Sequence, residues 1–467
     1  MPQLKPMVAG CSVRLGIQPC PLRRPVPRRQ QSAGGRAMRL PYKRRRRSPA
    51  PAPQRPVGRV MTTPSQQNQP RPSEGGASAA PSRDGHRLVF ANQLRGLAAL
   101  AVMVAHLIGV FWGSREVVGI TTSSPPQPGE LPGIFTLVSQ PWFNFGPFGV
   151  AVFFLISGLV IPISLGAHSR ATFILARLLR IYPTYLAALA VNLGGVWLAS
   201  RYWDLPFAHA GSTILANALL LQDILVKPTV DLVNWSLVVE LKFYLLMALL
   251  APAIRRGSVS ALFAIGFGAL AANLALGAPL FAAAVAPWQA PFNGVLFSTP
   301  YLVFMLIGVL FNYRLRGLLS APGLLAGIVG LGALFVACWR GGPFPEGYPH
   351  VLVNYAYALA LFGGLFLIRG HLRPFRPLDA LAAISFPLYL IHSLIGYSLL
   401  KLLMIAGGLG YYPALAITVP AVMAVAALLH FGVERWSIEA GKRLARRPAA
   451  PGWLTRLTGR RAELVRP

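Results

Sequence analysis

Apolar runs long enough to cross a bilayer recur along almost the whole chain after residue 87, and no other feature restricts its fold so tightly. A transmembrane helix needs about 20 mostly apolar residues. Ten stretches meet that need: 90–112, 146–166, 178–200, 235–252, 258–277, 296–313, 322–340, 350–369, 380–405 and 412–433. Only 12% of the residues are charged, against about a quarter in soluble domains. The expected fold is therefore an all-α polytopic membrane protein with about ten transmembrane helices.

Charge sets the expected topology. The net charge is +31. About half of that excess lies in residues 1–86, a Pro-, Arg-, Gly- and Ser-rich segment that includes Lys43 and Arg44 to Arg47. Such a composition cannot bury enough apolar surface to fold. It reads either as a disordered lipid-binding arm or as sequence upstream of a true start at Met38 or Met61. It holds no apolar h-region, so no cleavable signal peptide is expected. An eleventh apolar stretch, Gly211–Leu225, is short and carries Asn217, Gln222 and Asp223. If it crossed, Arg255, Arg256, Arg314, Arg316, Arg369, Arg373 and Arg376 would lie outside. If it does not, all of them lie inside, together with the basic tail 437–467, as the positive-inside rule prefers. Gly211–Leu225 thus reads as re-entrant or interfacial, and both termini as cytoplasmic. The basic excess points to anionic membrane lipids, not to nucleic acid. The outer loops 113–145, 201–234, 278–295 and 341–349 are nearly uncharged and carry Trp142, Trp203, Trp288, Pro343 and Pro345. The three cysteines, Cys11, Cys20 and Cys338, form no disulfide framework and no metal spacing.

Ionisable residues inside spans are costly and mark function or a paired partner. Arg95 and His106 are eleven positions apart, within roughly 20° of one helix face and about 16 Å apart along it. Arg170, Arg177 and Arg180 fall on one arc after the second span; they read as a positive-inside stop or as a clamp for a phosphorylated ligand. The run Gly146-Pro-Phe-Gly149 to Ser157-Gly158 carries small residues for close helix packing, with Ser157 a candidate donor into a cavity. Trp235, Ser236, Glu240 and Tyr244 open the fourth span, with Ser236, Glu240 and Tyr244 at i, i+4, i+8. Glu240, the one acidic residue clearly inside an expected span, reads as a salt-bridge partner, a general acid/base or an orienter of a histidine. In span nine Ser385, Tyr389 and His392 share a face, and Pro387 should kink the helix.

Together these pieces resemble the acyltransferase 3 family of membrane O-acyltransferases over residues 88–436. The matching motifs are Arg-x10-His at Arg95 and His106, Gly-Val-x-x-Phe-Phe-x-x-Ser-Gly at Gly149–Gly158, and Arg-x-x-Arg-Ile-x-Pro at Arg177–Pro183. Trp-Ser-Leu-x-x-Glu-x-x-Phe-Tyr at Trp235–Tyr244 and Ile-Ser-x-x-x-Tyr-x-x-His at Ile384–His392 complete the set. The resemblance implies a membrane domain over 87–436 in a bacterial inner (plasma) membrane. It implies a cytoplasmic acyl-CoA co-substrate, commonly acetyl-CoA, no bound cofactor or metal, and an acceptor hydroxyl on a glycan or glycolipid. It makes His106 essential, with Arg95 in support and Arg177 and Arg180 toward the coenzyme A side. Some relatives carry an added extracytoplasmic hydrolase-like domain, which this sequence lacks after its last span. The chemistry expected is proton removal by neutral His106, or transient acylation of it, with Glu240 as its orienter. Donor and acceptor contacts are expected from Arg170, Arg177, Arg180, Ser157, Trp235, Ser236, Tyr244, Tyr389 and His392. A multi-span transporter or flippase of lipid-linked sugars is the rival reading, although no paired halves with matching broken helices are evident. A non-catalytic membrane scaffold is the third.

Overall fold

The computed structural model describes residues 88–278, 285–343, 345 and 348–446. The basic segment 1–86 and the tail beyond Arg446 lie outside the described residues. The chain begins with α1 (Val89–Val104), which runs on through a π-helical turn, Ala105–Val110, to Gly113. Two short helices, α2 (Arg115–Thr121) and α3 (Gly133–Val138), and a two-stranded ribbon, β1 (Ser139–Gln140) with β2 (Phe143–Asn144), fill the first loop. Then come α4 (Phe145–Ala167), α5 (Arg170–Tyr202) and the short α6 (Gly211–Ala218). Next are α7 (Trp235–Leu249), α8 (Ala251–Arg256), α9 (Val259–Gly277), α10 (Gln289–Phe297), α11 (Thr299–Leu315), α12 (Ala321–Gly341) and α13 (Tyr348–Leu367). The chain closes with α14 (Arg376–Ala383), α15 (Ser385–Ile391), α16 (Leu394–Lys401), α17 (Tyr411–Leu429) and α18 (Arg435–Arg446).

The expected all-helical membrane architecture is present. Among the described residues eight helices are long and apolar enough to cross a membrane, or nine if the bent pair α15–α16 counts as one span. The remaining expected span, 235–252, is split: α7 has 15 residues and gives way at Leu250 to α8, which opens with a proline in its first turn. The bend in the ninth span is 56°. It falls at His392–Ser393, between α15 and α16, rather than at Pro387, which sits in the first turn of α15 where no helical N–H is lost. Helix α6 has 8 residues, about 12 Å of rise, and is far too short to cross. Asn217 and Asn234 tie it down: Asn234 Nδ2 donates to Asn217 Oδ1 at 2.7 Å, and Tyr185 Oη on α5 donates to the Asn217 carbonyl at 2.7 Å.

Side-chain caps start several spans. Asn144 Oδ1 accepts from the Gly146 amide at the head of α4, and Ser169 Oγ accepts from Thr172 at the head of α5. Lipid cannot drive helices together by the hydrophobic effect, so close packing must. At the α4–α11 crossing, Gly158 and Gly308 face one another so closely that a Cβ on Gly158 would collide with the Met305 carbonyl. A Cβ on Gly149 would lie 2.8 Å from the Ala98 carbonyl of α1, and one on Gly96 2.8 Å from the Leu378 carbonyl of α14. Buried amides add cross-links: Asn312 donates to the Leu159 carbonyl, and Asn192 to the Leu390 carbonyl, each at 2.8 Å. The basic helix ends gather at one end of the bundle. Arg255 donates to the Leu165 and His168 carbonyls, Arg316 donates to the Arg255 carbonyl, and α18 packs on α5.

Candidate active site

A polar seam runs through the apolar bundle from the basic end toward the opposite loops. At its basic end, α5 carries Arg177 buried and Arg180 half-buried, while Arg170, at the helix start, is exposed. The Arg177 guanidinium lies over the rings of Phe173 and Tyr244, at 5.6 and 5.4 Å from their centroids. Such faces hold a partly desolvated guanidinium without neutralising it. Tyr244 Oη in turn donates to Glu240 Oε1 at 2.6 Å, and Ser157 Oγ donates to the same oxygen at 3.3 Å. The i, i+4 spacing of Glu240 and Tyr244 is realised as this direct bond. Arg95 donates to Ser385 Oγ at 3.2 Å, and its charge interacts with those of Arg180, Glu434 and Glu240. Among the described residues no carboxylate comes within ion-pair distance of Arg95, Arg177 or Arg180.

The middle of the seam is made of hydroxyls and rings. Ser236 Oγ and Tyr389 Oη share a hydrogen bond of 2.6 Å, and Tyr389 lies 5.9 Å from the His392 ring. Trp235 turns away from the seam into an aromatic cluster with Phe154, Phe297 and Tyr301. His392 is buried; its Nδ1 bonds the Leu388 carbonyl at 3.0 Å, and its Nε2 has no partner.

The far part of the seam holds His106. It occupies the second position of the π-helical turn in α1, a local widening common at functional sites. The His392 ring meets it edge-on at 4.9 Å, and its Nδ1 is 2.8 Å from Tyr397 Oη. His106 is half-buried, and among the described residues its side chain bonds Tyr397 through Nδ1 and nothing through Nε2. In the tautomer whose Nδ1–H donates to Tyr397, Nε2 carries a free lone pair, as Nε2 of His392 does with its Nδ1–H on the Leu388 carbonyl. The eleven-residue spacing holds in space: Arg95 and His106 sit on one continuous helix, at the two ends of this seam.

The structure gives the imidazole a different neighbour from the one expected. Glu240 bonds Tyr244 and Ser157 in the arginine region, and Tyr397 bonds His106. Glu434 and His430 were also missed. They share a hydrogen bond of 2.7 Å at i, i+4, with Glu434 2% exposed, inside a helix that runs unbroken from α17 into α18. Glu434 lies one position past the expected end of that span; the His-x-x-x-Glu spacing was the available signal. No group of three or more metal-ligating side chains occurs among the described residues.

A family profile described as an acyltransferase domain matches residues 88–431. The chain belongs to the acyltransferase 3 family. The match spans both ends of the seam, from α1 with Arg95 and His106 into the π-helical turn before α18. No curated protein and no solved structure matches the chain. The family makes the chain a membrane acyltransferase, with eight helices among the described residues long and apolar enough to cross a membrane.

Proposed function

We propose that the protein moves an acyl group, with acetyl the first choice, from cytoplasmic acyl-CoA to a hydroxyl of a glycan or glycolipid. The observation that carries this reading is the free Nε2 of His106, held by Tyr397 and joined through one helix to an arginine cluster that no ion pair neutralises. Three guanidinia, two of them over or beside hydrogen-bonding groups, suit the phosphates of coenzyme A. Arg177 and Arg180 would bind them first, with Arg95 next along the path and Arg170 guiding from the surface. The rise from Arg95 to His106 is about 16 Å, a gap suited to an extended phosphopantetheine arm that brings its thioester to the imidazole.

In the reaction, Nε2 of His106 takes the proton of the acceptor hydroxyl. The oxygen attacks the thioester carbonyl, the C–S bond breaks, and the departing thiolate takes the proton back from Nε2. Tyr397 would accept from Nδ1–H and so orient the ring in the tautomer that leaves Nε2 unprotonated. Ser236, Tyr389 and His392 line the approach and offer hydrogen bonds to acceptor or carbonyl oxygen. The positive-inside rule puts the arginine end, with both chain termini, in the cytoplasm. Donor and acceptor then enter from opposite faces of a bacterial inner membrane, and the basic termini lie against anionic lipid.

The test uses protein in nanodiscs with labelled acetyl-CoA, comparing wild type, His106→Ala and Arg177→Ala. Coenzyme A release that vanishes in His106→Ala and needs more donor in Arg177→Ala is the expected result. Donor binding in all three proteins with no release, even with membrane glycan extracts present, would move the assignment to transport.

A further inference from the structure

Beyond His106 and Tyr397 the seam ends at Lys401, the C-terminal residue of α16. It is the one lysine that is fully buried among the described residues, and its Nζ has no hydrogen-bond partner. Among the described residues no carboxylate pairs with it. Burying an ammonium is unfavourable unless a partner offsets it, and the described residues supply none. Two further polar atoms nearby in the fold share this state: Ser398 Oγ, one turn before it on α16, and Thr418 Oγ1 on the adjoining α17.

The position is as informative as the burial. Tyr397 and Lys401 are four residues apart on α16, so they share a face with about 6 Å of rise between them. Tyr397 is the residue that holds His106. The lysine therefore lies about one helical turn beyond the reacting imidazole, on the side away from the arginine cluster. Gly119 of α2 faces it: a Cβ there would be 3.7 Å from Nζ and 3.2 Å from the Ser124 carbonyl. Gly119 opens the segment 119–127, in which Thr122, Ser123, Ser124 and Gln127 are all buried and Ser123 adopts φ 48°. A non-glycine residue in that conformation stores strain that the surroundings must hold.

We infer that Lys401 is the anion subsite of the acceptor: the hydroxyl acylated at His106 belongs to a sugar that also carries an oxyanion, a carboxylate or a phosphate, bound by this ammonium. The group would enter past Gly119, which keeps the approach free of a side chain. The substrate class rests on the acyl-transfer reading; the binding itself does not.

The experiment is a melting series on the full chain in detergent, without turnover. The probes are glucuronate, glucose 6-phosphate and glucose, each against wild type, Lys401→Met and Lys401→Gln; coenzyme A serves as a separate probe with Arg177→Ala. A charged sugar at ten times its Kd should raise the wild-type melting temperature by roughly 2 °C, glucose should not, and both Lys401 variants should lose the shift. A response to glucuronate alone assigns a carboxylate, and one to glucose 6-phosphate alone assigns a phosphate. Equal shifts with glucose, no shift with either anion, or shifts that survive in a folded Lys401 variant would each overturn the subsite. Folding of the variants is read from their coenzyme A shift. If that shift is missing in wild type while the anion shift stands, the donor reading fails and the anion site remains.

Discussion

The two ends of the seam are built from opposite materials. The basic end sets Arg95, Arg177 and Arg180 among Glu240, Glu434 and the ring of Tyr244, so charges of both signs hold one another at a distance. At the far end no carboxylate bonds the imidazoles among the described residues: His106, His392 and Tyr397 are joined by a hydrogen bond and a ring contact, with the Lys401 amine beyond. A region that captures and releases a multiply charged ligand needs surplus charge that is partly balanced, because a bare cluster would repel itself and a neutral one would bind nothing. A region that moves a proton needs an imidazole kept neutral, which apolar surroundings and a phenol achieve better than a carboxylate would. The separation of about 16 Å keeps the binding charges from acting on the base.

The sharpest test of that division is the loss of the base. His106→Ala should lower acyl transfer by about 10²–10⁴-fold and leave the donor dissociation constant unchanged, measured by equilibrium binding beside turnover in nanodiscs. Should donor binding fall as steeply as turnover, the two ends would not be separate functions.

Arg177→Ala comes next. Charge-assisted contacts are worth about 1.5–3 kcal/mol each, so donor KM should rise roughly 10–100-fold while kcat at saturation stays within a few-fold. Arg177→Lys should recover part of this, since it keeps the charge and loses the planar stack on Phe173 and Tyr244. Tyr397→Phe should act on the other parameter. Removal of one hydrogen bond to the imidazole is worth about 1 kcal/mol, so kcat should drop by roughly five-fold with donor KM unmoved. A Tyr397→Phe protein whose KM rises and whose kcat holds would show the phenol to be a packing group.

The fold was legible because a bilayer demands long apolar runs and the chain supplies them. The close approaches at Gly149 and Gly158 were legible for the same reason, as small residues in otherwise bulky spans. The shared face of Arg95 and His106 followed from helical geometry alone. What stayed hidden was long-range pairing. Tyr397 is 291 positions from His106, and nothing in their local patterns joins them, whereas Glu240 stood out as a buried acid and so drew the role of partner. Helix breaks were hidden as well. Pro387 was a visible breaker, yet the bend came five residues later, where His392 and Ser393 leave the helix. The end of α7 at Leu250 did have a local signal, Pro252 followed by Arg255 and Arg256, which the apolar run outweighed.

The smallest expected effect is the most instructive about the division. Glu240→Gln keeps a side-chain oxygen able to accept from Tyr244 and Ser157, and removes one negative charge from the arginine region. Charge interactions of this partly exposed kind are worth about 0.2–1 kcal/mol. Donor KM should therefore fall by a factor of roughly two to five, while kcat changes by less than about two-fold. A carboxylate that orients the imidazole would give the reverse pattern, because the glutamine would leave the base in the wrong tautomer and kcat would collapse. Donor titration of this single variant at fixed acceptor separates the two cases: a tightened KM keeps Glu240 with the arginines, and a lost kcat returns it to His106.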